Sequence, residues 1–175
     1  MDFLIDTADA LQISDLEISQ LLTQVYVDGG FVAAEMAVSL FEANAVRSRG
    51  KIVAARAKQS LLFAGMVIIV YPDSPARRMA QSNEAEMHLL GVKPEYCGNG
   101  LGRALVAAAV NDASQSGYSK MLLWTQPTMY AAHRLYESSG FIRTPGRDFV
   151  RAGRDFKVYE NELGVYTGSV RGENG

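Results

Sequence analysis

The stretch from Glu84 to Arg103 constrains the chain more than any other. It passes from a short apolar run, Met87, Leu89, Leu90 and Val92, through Pro94 into glycines at alternate positions, Gly98, Gly100 and Gly102. From Leu101 onward, Leu105, Ala108, Ala109 and Ala113 recur at helical spacing. The reading is a strand, a glycine-rich turn and a helix N-terminus. The first amides of a helix have no partner inside it, and the helix dipole adds partial positive charge there. Glycines let a ligand approach those amides closely. The segment therefore predicts a site for a phosphate or pyrophosphate.

Two common phosphate loops do not fit. No Gly-Lys-Ser/Thr closes the turn, which excludes a P-loop. The third glycine of a dinucleotide fingerprint should fall at position 103, and that residue is Arg103. The sequence Cys97-Gly98-Asn99-Gly100-Leu101-Gly102 instead resembles the acyl-CoA loop of the GNAT N-acetyltransferase superfamily, Gln/Arg-x-x-Gly-x-Gly/Ala, with Cys97 in the first position. A second stretch, Leu135-Tyr136-Glu137-Ser138-Ser139-Gly140-Phe141, resembles that family's Leu-Tyr-Glu-x-x-Gly-Phe. Met129 stands where many members carry asparagine.

The remaining elements are read in order. Phe3–Thr7 is a first strand. Ser14 and Glu17 form a capping box for a helix whose buried face is Ile18, Leu21, Leu22 and Val25, ending at Asp28-Gly29-Gly30. A second helix spans Ala33 to Phe41. Lys51–Ala57 and Leu61–Tyr71 form a hairpin. Residues 72–83 are a polar loop, with Arg77 and Arg78 read as solvated. Met121–Gln126 is a strand closed by Pro127. Thr128 caps the next helix, which stops at Gly140. Phe141–Arg143 and Phe156–Glu160 are the last strands. The order β-α-α-β-β-β-α-β-α-β-β predicts an α/β fold with a central mixed β-sheet covered by helices. The GNAT-like acyl-CoA N-acyltransferase fold has the same order. One domain is expected over residues 1–163, with 164–175 as a mobile tail.

Composition narrows the function. With 17 basic and 19 acidic residues the net charge is -2, which argues against a broad basic face for nucleic acid. No apolar run approaches the ~20 residues of a membrane span. The N-terminus has no basic region before its apolar residues, so a secretory leader is not expected. One cysteine, Cys97, excludes an internal disulfide, and two histidines make a metal site unexpected. The expectation is a soluble cytoplasmic protein.

The resemblance implies an enzyme that moves an acetyl group from acetyl-CoA to a primary amine of a small molecule or peptide. It implies a pantetheine arm paired along Leu90, Gly91 and Val92, and a pyrophosphate held by the amides of Cys97, Gly98, Asn99, Gly100, Leu101 and Gly102, with Arg103 adding charge. Strand alternation puts Glu84, Glu86 and His88 on one face. Glu86 is the favoured base, its pKa raised by partial burial, with Glu84, His88 or a water chain as alternatives. Tyr136 is the favoured acid toward the leaving thiolate. The acceptor is expected near Tyr26, Asp28, Phe31 and Tyr159. Homodimers are common in that family. A non-catalytic acyl-CoA-binding module and an interaction domain of the same fold are the competing readings.

Overall fold

The computed structural model describes residues 1–164; the expected tail, apart from its first residue Gly164, lies outside the described residues. Eight strands form a mixed sheet: β1 (Phe3–Thr7), β2 (Lys51–Ala57), β3 (Phe63–Val70), β4 (Glu84–Val92), β5 (Lys120–Thr125), β6 (Ile142–Arg143), β7 (Phe149–Arg151) and β8 (Arg154–Glu162). Their order is β1-β2-β3-β4-β5-β8-β6, and β7 pairs with β8. Among the described strands only β4 and β5 run parallel.

Five helices cover the sheet: α1 (Asp15–Leu22), α2 (Ala34–Leu40), α3 (Ala43–Arg47), α4 (Leu101–Gln115) and α5 (Tyr130–Ser138). The Ser14–Glu17 capping box starts α1, and a π-helical turn, Thr23–Val27, prolongs it. Thr128 does not cap α5: its N-cap is Met129 and no side chain caps it.

β3 is buried along its whole length, Phe-Ala-Gly-Met-Val-Ile-Ile-Val. A strand covered on both faces loses the polar alternation of a half-exposed one. On one side, Val67 and Ile69 join Leu101, Leu105 and Ala109 of α4 and Tyr136 of α5. On the other, Met66, Ile68 and Val70 join Ile18, Leu21 and Leu22 of α1, and Phe41. Burying one such aliphatic side chain contributes about 1.5–3 kcal/mol before conformational entropy is counted.

Two irregularities position the site. β4 pairs with β5 only through Glu84–Glu86 against Lys120–Leu122, after which the strands part. Opposite β3, Met66 faces Gly91 and Ile68 faces His88, so Leu89 and Leu90 together oppose Val67. Leu89 takes up this bulge at φ 47°. None of the described helices is long and apolar enough to cross a membrane.

Candidate active site

Where β4 and β5 part, a cavity of about 630 Å³ opens. Met87, His88, Leu89 and Leu90 line it from β4; Trp124, Thr125 and Gln126 line it from the end of β5 and just beyond. Tyr26, Phe31 and Phe41 close the α1–α3 side, and Met129, Ala132 and Tyr136 the α5 side. The β7–β8 hairpin contributes Phe149 and Phe156, stacked 5.0 Å apart. Trp124 bridges to it, 5.9 Å from Phe149 and 4.8 Å from His88.

Alternation along β4 holds: Glu84, Glu86 and His88 share a face. The environment of Glu86 corrects the expectation. Its side chain is completely buried and is not among the residues lining the cavity. Oε1 accepts the backbone amides of Arg78, Met79 and Ala80 at 2.9, 2.7 and 2.8 Å. Oε2 pairs with His88 Nε2 at 2.7 Å. Burial pushes the carboxyl pKa up, but the bonds from His88, Met79 and Ala80 outweigh it, so the net shift is downward. Glu86 is therefore an ionised anchor and not a carboxylate of raised pKa. A carboxylate only accepts, so His88 Nε2 carries a proton, and in the neutral ring the lone pair is on Nδ1. His88 is the member of the pair that lines the cavity.

Glu84 is also engaged elsewhere. Arg147 donates to both its oxygens, at 3.1 and 3.0 Å, and the Gln81 amide adds a bond at 2.9 Å. Burial raises its pKa, and Arg147, the Gln81 amide and Lys120 bring it down below the usual carboxylate range. Arg147 also donates to Met79 O at 3.0 Å, fixing the loop whose amides bind Glu86.

Tyr136 is buried against Phe141 and Tyr159 and lines the cavity. Burial drives its pKa far above that of a free phenol, so it stays protonated. Tyr26 lines the opposite wall and donates to Leu90 O at 2.8 Å. Burial raises its pKa too. Of the expected acceptor region, Tyr26 and Phe31 line the cavity and Asp28 is exposed away from it. Tyr159 lies on the other face, where its hydroxyl donates to Glu137 at 3.2 Å.

The glycine turn leads into α4 as expected. Gly100, at φ 78°, is its N-cap; no side chain caps the helix, and the Ala104 amide bonds back to Gly100 O at 3.1 Å. The amides of Leu101, Gly102 and Arg103 precede that first bond. Gly98 also sits at φ 78°. A Cβ at Gly102 would lie 3.2 Å from Leu135 Cδ2, so that side-chain tip would have to shift by a few tenths of an ångström to admit one. Cys97 departs from expectation: its amide already donates to Pro94 O at 3.1 Å. Gly91 and Val92 pair with β3, and Leu90 lines the cavity. Arg103 is exposed, 3.2 Å from Ser138 Oγ. No group of three potential metal-ligating side chains occurs among the described residues.

A sheet that opens between two parallel strands, a helix N-terminus beside the opening, and a tyrosine-bearing helix across it define an acyltransferase scaffold. The family model "Acetyltransferase (GNAT) family" matches residues 17–141, most of the chain, and this protein belongs to that family. A mycothiol acetyltransferase of Kocuria rhizophila is 44% identical over 71 residues, 41% of this chain and 21% of that protein. An N-acetylaspartate synthetase of Xenopus tropicalis is 36% identical over 66 residues, 38% of this chain and 24% of that protein. The matched stretch thus spans about a quarter or less of these relatives.

Solved structures agree over nearly the whole fold. A GNAT-family acetyltransferase from Desulfovibrio desulfuricans superposes with a TM-score of 0.67 at 24% identity, covering 93% of this chain and 100% of the other. The PaiA N-acetyltransferase of Thermoplasma acidophilum, solved with coenzyme A, gives 0.66 at 19% identity, covering 93% and 99%.

Proposed function

We propose that the protein transfers an acetyl group from acetyl-CoA directly to a primary amine. The observation that carries this reading is the opening between β4 and β5: one cavity there is lined by both His88 and Tyr136. Acetyl-CoA supplies a thioester whose carbonyl carbon is the electrophile. The unpaired edge of β4 from Met87 to Leu90 offers hydrogen-bonding groups to an extended amide-bearing arm, as a sheet edge does to a peptide. The amides from Gly98 to Arg103 suit a pyrophosphate; the Cys97 amide is left out because Pro94 O occupies it.

His88 Nδ1 takes a proton from the acceptor's ammonium or attacking amine, directly or through water, and Glu86 stabilises the charged ring through Nε2. Attack forms the new C–N bond. As the carbonyl reforms, the C–S bond breaks and Tyr136, kept protonated by burial, donates to the departing thiolate; the proton carried by His88 passes to solvent and one from solvent restores the Tyr136 phenol, so that the net transfer is from nitrogen to sulfur. The products are an acetamide and the free thiol of coenzyme A. Glu86 acts here as a positioning residue, not as the base itself.

Calorimetric titration with acetyl-CoA tests the reading, beside Arg103→Glu and Gly100→Glu. Arg103 is exposed in the first turn of α4, where a glutamate suits the helix dipole, so that variant keeps its fold. Saturable binding to the wild type that weakens at least tenfold in both variants is expected. A folded wild-type protein that binds no acetyl-CoA would overturn the proposal. Binding without transfer to any amine would convert the protein into an acyl-CoA-binding module.

A further inference from the structure

The charges around the cavity are one-sided. Its lining includes four arginines, Arg49, Arg78, Arg151 and Arg154, and no aspartate or glutamate. The chain as a whole has more acidic than basic residues, 19 against 17, so composition does not produce this bias. Elsewhere several arginines are matched with carboxylates, Arg47 with Asp9 and Asp15, Arg56 with Glu17, Arg143 with Asp148, Arg147 with Glu84 and Glu160, while others such as Arg77, Arg103 and Arg134 are exposed without an ion pair among the described residues. The four cavity arginines form no ion pair among the described residues.

Arg49 is the most telling. It sits between α3 and β2, half-buried, and its one side-chain hydrogen bond is a long one, 3.3 Å, to Leu40 O. Burial and the nearby Arg151 both lower its pKa, with Tyr26 acting against them. A partly desolvated guanidinium beside a second one is costly unless an anion joins them. Arg154 donates to Phe31 O at 2.6 Å, whereas the side chains of Arg78 and Arg151 have no protein partner among the described residues. The arginines come from three separate segments, the α3–β2 connection, the 72–83 loop and the β7–β8 hairpin. All four line this cavity, Arg49 and Arg154 partly buried, Arg78 and Arg151 at its exposed rim. Between them lie apolar surfaces: Phe31, Phe41, Trp124, Phe149 and Phe156.

We propose that the acceptor is an amine carrying a carboxylate on an apolar body, in the manner of an amino acid with a large side chain. This rests on the acetyl-transfer reading above. The carboxylate engages the Arg49–Arg151 pair, with Arg78 completing the anion site, because a guanidinium fork matches two carboxylate oxygens. The apolar body lies on the aromatic wall, and the amine is directed to His88. A cationic polyamine or a lysine side chain meets only like charge here.

The test compares phenylalanine with phenylalaninamide as acceptors, measuring free coenzyme A released. The amide is neutral at the carboxyl position and its amine is the more easily deprotonated. A preference for the acid therefore reports recognition of charge and not of nucleophilicity. A kcat/KM ratio of about tenfold to a hundredfold in favour of the acid is expected, the size of one or two charge-assisted hydrogen bonds. It should collapse toward one in Arg49→Met and Arg151→Met, with the acetyl-CoA dissociation constant unchanged. N-acetylphenylalanine and N-acetylphenylalaninamide, titrated with coenzyme A present, read the same preference without turnover. O-phosphoethanolamine separates a phosphate site from a carboxylate site.

Equal or better use of the amide, or loss of acetyl-CoA affinity in the arginine variants without change in the ratio, overturns the inference and leaves acetyl transfer standing. So does a phosphate-bearing amine outcompeting every carboxylate. Failure of the wild type to bind acetyl-CoA removes the functional reading and this inference with it.

Discussion

Exchanging Glu86 for glutamine alters one atom and inverts the hydrogen-bond logic around His88. The carbonyl oxygen of the new amide can keep the place of Oε1 and continue to accept Arg78, Met79 and Ala80. The NH2 group then stands where Oε2 was, 2.7 Å from His88 Nε2, and has only donors to offer. Nε2 must become the acceptor, so the proton moves to Nδ1 and the lone pair proposed to receive the amine proton disappears. Three charge-assisted bonds become neutral ones, each weaker by about 1 kcal/mol, and relief from burying a charge offsets part of this. The net destabilisation is about 1–3 kcal/mol, which at about 2–4 °C per kcal/mol leaves a folded protein. Activity should nevertheless fall by about 10²–10⁴-fold, the usual range for losing general acid–base catalysis. Thermal denaturation, thiol release with the best acceptor, and imidazole ¹⁵N shifts reading the tautomer test this together. Glu86→Ala serves as contrast: three buried amides lose their acceptor, at about 1–3 kcal/mol each, and the 78–80 loop should come away. A folded Glu86→Gln protein with wild-type kcat/KM and the proton on Nδ1 would refute the argument.

Tyr136→Phe should lower kcat at least tenfold while leaving acetyl-CoA affinity within twofold, checked by steady-state kinetics and calorimetry. Gly100→Ala should cost about 1–2 kcal/mol in urea denaturation, purely for holding a β-carbon at φ 78°, because a Cβ there meets nothing within 4 Å. Gly146→Ala, in open space without positive φ, is the matched control and should be near neutral. Glu84 and Glu86 both have depressed pKa values in the folded state. Their stabilisation is present above the unfolded carboxyl pKa near 4.5 and is lost as pH falls below it through the folded values, so a midpoint of denaturation that does not drop between pH 5 and pH 3 would contradict the two networks. Arg147→Met should cost about 3–5 kcal/mol and move that acid sensitivity to higher pH, since it strips Glu84 of its principal partner.

Much of this was legible in the residues themselves. The boundaries of β1 and β2 follow from apolar patterning, and the start of α1 from its capping box. The glycine turn is read correctly because two of its glycines answer to backbone conformation, a local property. Other parts depend on distant segments. In the β7–β8 hairpin, β8 is expected in part as Phe156–Glu160, but β7 escaped because Phe149-Val150-Arg151 is too short and charged to resemble a core strand. The hairpin turn is Ala152-Gly153, with alanine at φ 49° where asparagine is the usual signal. Helix α3 has five residues and buries only Val46, so it carries no periodicity to detect. Alternation found the face that bears Glu86, but its ionisation is decided by His88 and by amides of a loop whose turn is fixed by Arg147. Arg78 reads as solvated and is exposed; what nothing in its neighbourhood in sequence announces is the cavity that it also lines.

The early separation of β4 from β5 gives the protein a strand edge in the middle of its sheet. Exposed edges at the rim of a sheet invite pairing with other chains. Here the edge is enclosed by the α1–α3 side, α5 and the β7–β8 hairpin, so a second copy of the protein cannot lie along it. Neighbouring strands sit about 4.7–4.9 Å apart, which sets the scale of what can be accepted. An extended, amide-bearing chain pairing with this edge would lie at that spacing, as a strand does. The interior edge thus favours an occupant that is itself extended and carries hydrogen-bonding groups along its length.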